Sequence, residues 1–133
     1  MAQVVRVALP YHLAISERWM VHYYNSQMRE QAWMREEEAR FLADAGSLFD
    51  AGLMAALRRL AAAVGLDYFG IDCAISRDGE LIVFEIETGM IVHNLDPVDL
   101  YPYKPAAFAR IEAALDALIL RRIAEHRTKV AAA

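Results

Sequence analysis

Three carboxylates stand close together in a stretch otherwise rich in β-branched and aromatic residues: Asp72, Glu85 and Glu87, within "FGIDCAISRDGELIVFEIETG". Between them lies Asp78-Gly79, a dipeptide suited to a two-residue hairpin turn. With that pair at the tip, Asp72 falls directly opposite Glu85, Cys73 opposite Phe84 and Ile75 opposite Ile82. Side chains alternate between the faces of a strand pair. Phe69, Ile71, Cys73, Ile75, Ile82, Phe84 and Ile86 then form an apolar face, and Asp72, Glu85 and Glu87 gather on the other. Like charges opposed across a strand pair destabilise it. A divalent cation is the simplest offset, and hard oxygen donors suit Mg²⁺ or Mn²⁺. A proton shared between two carboxyls and an acidic face that is simply solvated are the other two readings.

The remaining residues with chemical capacity are scattered. His12, His22, His93 and His126 lack the spacing of a zinc site. His12 reads as a strand residue with a structural hydrogen bond and His126 as a solvated one. His22 reads as a packing residue, and His93 as a strand cap or a neighbour of the carboxylates. Arg18 could hold a carboxylate or phosphate, or simply face solvent. Cys73 is the only cysteine, so no intramolecular disulfide forms, which suits a reducing cytoplasm; its strand position points it toward the core. No Walker-type glycine loop and no Ser-His-Asp arrangement occurs.

The elements that must position these groups follow from periodicity. At 133 residues, 57% hydrophobic and 24% charged, the chain suits a single domain over 1–133 with a real core. A formal charge of −4 and a pI of about 5.5 do not favour a nucleic-acid partner. No apolar run approaches the roughly 20 residues of a membrane span, and the first 16 residues do not read as a signal peptide. Residues 3–9 read as a strand, with 11–16 paired to it. Residues 26–44 read as a helix whose Glu-rich run is a solvated face. A second helix covers 47–64, with Leu53, Leu57, Leu60 and Val64 as its stripe and Gly65 as its stop. After the hairpin, Pro97 and Pro102 punctuate a loop. A last helix starts near Pro105 with Phe108, Ile111, Leu115, Leu118 and Ile119 inward, and the final six residues read as a frayed tail. The predicted class is α+β, an antiparallel sheet covered by helices.

The stretch from Gly65 to His93 also resembles the metal-binding end of ATP-grasp enzymes. That family places an Asp on one strand, an acidic-Gly turn, and then Phe/Leu-Glu-x-Asn on the next. Asp72 matches the first metal ligand and Glu85, thirteen residues on, the second. Glu87 stands where the family usually has Asn. Upstream, "PYHLAISERWMVHYYN" is similar to a segment of the RimK and glutathione synthetase type, in which an Asn lies near the phosphates. Asn25 is the matching residue, with His22 and Arg18 as possible phosphate or substrate contacts. "MIVHNLDPVDLYPYK" looks like the tail of the same group, with His93 just beyond the metal site.

The resemblance spans roughly residues 4–125 and implies a C-terminal lobe. It implies Mg²⁺ (or Mn²⁺) and ATP as cofactors, with Asp72, Glu85 and Glu87 on the metal. Arg18, Asn25, His22 and His93 would attend phosphate or substrate. The family's nucleotide-clamping lysines and adenine-binding linker precede the region seen here, so a partner chain with the missing lobe would be needed for ligase activity. The alternative is a non-catalytic remnant that acts as a homo-oligomeric binding or assembly module, since a missing lobe uncovers apolar surface.

Overall fold

A computed structural model describes residues 7–47 and 49–132. Its regular elements are α1 (Ala32–Ala43), α2 (Ala51–Val64), strands β1 (Gly70–Ile75) and β2 (Leu81–Glu87), and α3 (Lys104–Ala131), with short 3-10 turns at Tyr23–Asn25 and Ala45–Ser47. Among the described residues the class is mixed α and β, with one two-stranded antiparallel sheet.

Most of the proposed N-terminal strand lies outside the described residues. Residues 7–9 and 11–16 join no sheet. The second of these stretches is held by side chains instead: the Leu13 amide donates to Glu38 (3.1 Å) and the Tyr11 hydroxyl to the His93 carbonyl (2.9 Å).

Helix α1 begins later than residue 26 because the chain first turns. That turn carries Met28 into the core, at 1% exposed. The Arg35 guanidinium holds it, donating to the Met28 and Arg29 carbonyls at 2.8 and 2.7 Å. Met34, Glu38 and Leu42, one turn apart, form the inward face of α1. The Glu-rich run is therefore not wholly solvated: Glu36 and Glu37 are exposed, but Glu38 is completely buried.

Helix α2 starts at Ala51 because Asp50 caps it, its carboxylate accepting from the Leu53 amide at 2.8 Å. Gly65 ends it in the left-handed region (φ 71°), its amide bonded to the Ala61 carbonyl. Helix α3 starts at Lys104 with Pro105 in its first turn and continues through Ala131, so most of the supposed tail is helical. Its inward residues recur at Lys104, Ala107, Ile111, Ala114 and Leu118. It packs against α1, where Arg110 donates to the Leu42 carbonyl (2.8 Å).

The hairpin turn is one residue longer than the sequence suggests. Ser76 and Glu80 close it, and Gly79 sits at φ 80°. The Ser76 hydroxyl accepts from the amides of Asp78 and Glu80 at 3.2 and 3.0 Å, which fixes the three-residue loop. Next to the turn the register is therefore Ile75 with Leu81, Ala74 with Ile82 and Cys73 with Val83. A β-bulge at Phe84 absorbs the extra residue, and beyond it Asp72 faces Glu85, Ile71 faces Ile86 and Gly70 faces Glu87, as predicted. The pairings of Cys73 with Phe84 and of Ile75 with Ile82 are thus corrected. By register, Ile82 shares the carboxylate face, and Leu81 and Val83 take its place on the apolar one.

That apolar face is open rather than covered by helices: Ile75 is 45% exposed, Ile86 40% and Phe84 71%. Cys73 is exposed rather than in the core. Burial of its surroundings nevertheless raises its thiol pKa, and the Asp72 carboxylate adds to the rise.

Candidate functional site

Six of the seven residues of the sequence-derived site fall into two groups, and Arg18 stands apart. Asp72, Glu85 and Glu87 lie on one exposed face of the hairpin, Asp72 and Glu85 directly opposed. Glu87 accepts from the Gly89 amide through one oxygen, Oε1, at 3.0 Å, which leaves its second oxygen available. Next to it, Gly70 is closely approached: a Cβ there would displace the Met90 side chain. The Tyr68 hydroxyl donates to the Met90 carbonyl (3.1 Å), which ties the chain after β2 back to the start of β1. Among the described residues, no three His, Cys, Asp or Glu side chains stand gathered around one point as they would around a bound ion. The donor set itself, three carboxylates on one face, is of the type that Mg²⁺ or Mn²⁺ takes.

The second group surrounds His93. The Tyr11 hydroxyl donates to its carbonyl and accepts from its amide (2.9 and 3.1 Å), and the Tyr24 hydroxyl lies 3.2 Å from its Nε2. The Tyr24 and His93 rings are near-parallel, 6.1 Å apart. The other ring nitrogen, Nδ1, is buried and finds no hydrogen-bond partner among the described residues. His22 and Asn25 flank Tyr24, both exposed, with the Asn25 amide bonded to the His22 carbonyl (3.0 Å). His22, Asn25 and His93 are thereby brought into one neighbourhood. A hollow of about 390 Å³ opens beside them, lined by Tyr24, Ser26, Arg29, His93, Asp96 and Tyr101 among others. Arg18 is exposed in a bend, its amide bonded to the Ser16 hydroxyl, and no contact draws it to either group.

What holds the second group is a buried polar cluster that the sequence reading missed. Glu38 accepts from the Leu13 amide through Oε1 (3.1 Å) and from the hydroxyls of Tyr23 (2.9 Å) and Tyr103 (2.6 Å) through Oε2. Lys104, 5% exposed, donates to Asp96 (2.7 Å) and to the Tyr23 hydroxyl, and stands 3.9 Å from Glu38. It also lies over the Tyr23 ring, 4.1 Å from the centroid. Nδ1 of His12 is 3.1 Å from the Lys104 nitrogen and 3.7 Å from Glu38. An ammonium has donors only, so this nitrogen accepts from Lys104, and its nearness to Glu38 is electrostatic.

The ionisation of the cluster follows from these contacts. Burial pushes the Glu38 carboxyl upward. The Tyr103 hydroxyl and the Leu13 amide that donate to it, with the nearby Lys104 charge, outweigh burial and hold it below its ordinary range. Tyr23 and Tyr103 shift the opposite way: burial, and then their bonds to the Glu38 carboxylate, raise both hydroxyls well above the ordinary tyrosine value. Burial pushes Tyr24 up to about 12. Every hydroxyl in the cluster stays protonated at neutral pH and none is poised as a nucleophile. The cluster works as a clamp that joins the segment before α1, α1 itself and the loop leading into α3.

A helix-period signal could have located it. Glu38 falls midway between Met34 and Leu42 on one stripe of α1, which makes it the inward member of the Glu run. Lys104 lies at the first residue of α3, three before the buried Ala107. No family model, curated protein or solved structure matches this chain.

Proposed function

We propose that this chain is the metal- and phosphate-binding lobe of an ATP-grasp-type enzyme, part of an ATP-dependent carboxylate–amine ligase. The observation that carries the reading is the pairing of Asp72 directly opposite Glu85, with Glu87 on the same face. It combines with the motif resemblance of the same three residues. Asp72, Glu85 and Glu87 would hold Mg²⁺ or Mn²⁺. Once bound, such an ion supplies a charge clamp on ATP phosphates. His22, Asn25 and His93, gathered by Tyr24, would contact phosphate or substrate, and Arg18 would reach in from its bend. Ligase activity would need a partner chain supplying the adenine-side lobe.

A second reading, an assembly module without catalysis, is favoured by one observation: the apolar face of the hairpin is open at Ile75, Phe84 and Ile86. Calorimetric titration of Mg²⁺, with and without ATP, separates the two. The ligase-lobe reading expects metal-dependent nucleotide binding that Glu85→Ala abolishes without loss of fold. Absence of heat in folded wild-type protein removes that reading and leaves the assembly module.

A further inference from the structure

Helix α3 carries a second apolar stripe, separate from the one that packs inward. Phe108, Glu112, Leu115, Ile119, Ile123, His126 and Val130 lie within about 40° of one line along the helix, at 100° per residue. Leu115, Ile119, Ile123 and Val130 are exposed at 38%, 49%, 44% and 63%. A shallow groove of about 520 Å³ runs beside this stripe, lined by Leu118, Ile119, Ile123 and His126 with the charged Asp67, Arg122 and Arg127.

The stripe is symmetric about Ile119. Stepping outward from Ile119, Leu115 answers Ile123, Glu112 answers His126 and Phe108 answers Val130. An antiparallel copy centred on Ile119 would meet apolar with apolar and acid with imidazole. The flanks agree in charge. Each copy's acidic Glu112 meets the other's His126, with Arg127 on the same flank, while Arg122 is held by Asp67 and Glu125 of its own chain. In a parallel pair each of these groups would meet its own like. A patch that complements itself under a two-fold rotation is what an isologous interface requires.

We propose that two copies of this chain pair through α3, antiparallel, with the two-fold axis at Ile119. The inference does not depend on the ligase-lobe reading; it rests on α3 alone. Equilibrium ultracentrifugation should show a reversible dimer. Ile119→Asp should weaken it at least about a hundredfold, since both copies lose a buried side chain at the axis. Circular dichroism should be unchanged, because Ile119 is half exposed in the single chain.

A second measurement fixes the geometry. In a Cys73→Ser background, Ile119→Cys should form a disulfide-linked dimer on mild oxidation, because the axis sets residue 119 against itself. Ala113→Cys, exposed about a third of a turn away, should not cross-link. A monomer at every concentration overturns the proposal. So does a dimer that survives Ile119→Asp, resists cross-linking through position 119 and is lost on Phe84→Ser, for such a dimer forms through the hairpin face.

Discussion

Replacing Glu38 by alanine removes a single carboxylate and disturbs four donors: the Leu13 amide, the Tyr23 and Tyr103 hydroxyls and the Lys104 ammonium. They are not equally harmed. Lys104 keeps Asp96, and Tyr23 keeps its bond from Lys104. Tyr23, Tyr103 and Leu13 are left without an acceptor in a site where the carboxylate was fully buried, although the Tyr23 oxygen still accepts from Lys104. Each stranded buried donor costs about 1–3 kcal/mol, and breaking a buried ionic contact from one side costs about 3–5 kcal/mol in all. A loss of about 3–5 kcal/mol is expected, a large share of a typical total stability of about 5–15 kcal/mol. At roughly 3–5 °C per kcal/mol for a chain of this size, the thermal midpoint falls by about 10–20 °C. Urea unfolding followed by circular dichroism, with exposed Glu36→Ala as control, measures it. The control should stay within about 0.5 kcal/mol of wild type. If Glu38→Ala shows a change as small as its control, with the same denaturant slope, the clamp is not what holds these segments together.

The same cluster predicts a two-sided pH dependence. The folded-state pKa of Glu38 lies below its ordinary 4.5, so its contribution is present above that pH and is lost as pH falls; Glu38→Gln should flatten the acid limb of a urea-midpoint profile. Tyr23 and Tyr103 are shifted above their ordinary 10.0, so their contribution is complete below that pH and fades as pH rises; Tyr23→Phe should flatten the alkaline limb. Asp50→Ala should cost about 0.5–2 kcal/mol through loss of the α2 cap, while Asp50→Ser retains most of it, as read by thermal melts. Gly79→Ala forces a side chain into the left-handed region and should cost about 1–2 kcal/mol, with amide exchange accelerated first at Ser76 and Glu80.

The legible parts were those where one local rule decides. Helix stops placed α2 and α3 to within a few residues, because Gly65 and the first-turn Pro105 act through local chemistry, whereas Leu115 and Ile119, expected inward on α3, are exposed. The hairpin was legible for the same reason. Its Asp72–Glu85 pair was right although two intermediate steps were not: the turn gained a residue and the bulge at Phe84 removed the resulting slip. Neither choice is visible in residue types alone, since Ser76 selects the longer loop through its own hydroxyl. The buried cluster was illegible because it is assembled from residues far apart in sequence, His12, Tyr23, Glu38, Asp96 and Lys104, of which the three charged ones are ordinarily surface types. The exposed face of Ile75, Phe84 and Ile86 was misjudged because alternation reports that a strand has an apolar side, and is silent on whether anything in the chain covers it.

The central claim is that the hairpin's carboxylate face takes a divalent cation. Mn²⁺ added to isotopically labelled protein tests it directly, since its unpaired electrons broaden the amide signals nearest the bound ion. Selective broadening at Asp72, Glu85 and Glu87 at substoichiometric Mn²⁺, lost in Glu85→Ala and competed away by Mg²⁺, is the predicted result. Broadening centred on His22, His93 or His126, or none at any residue of the hairpin, would contradict it.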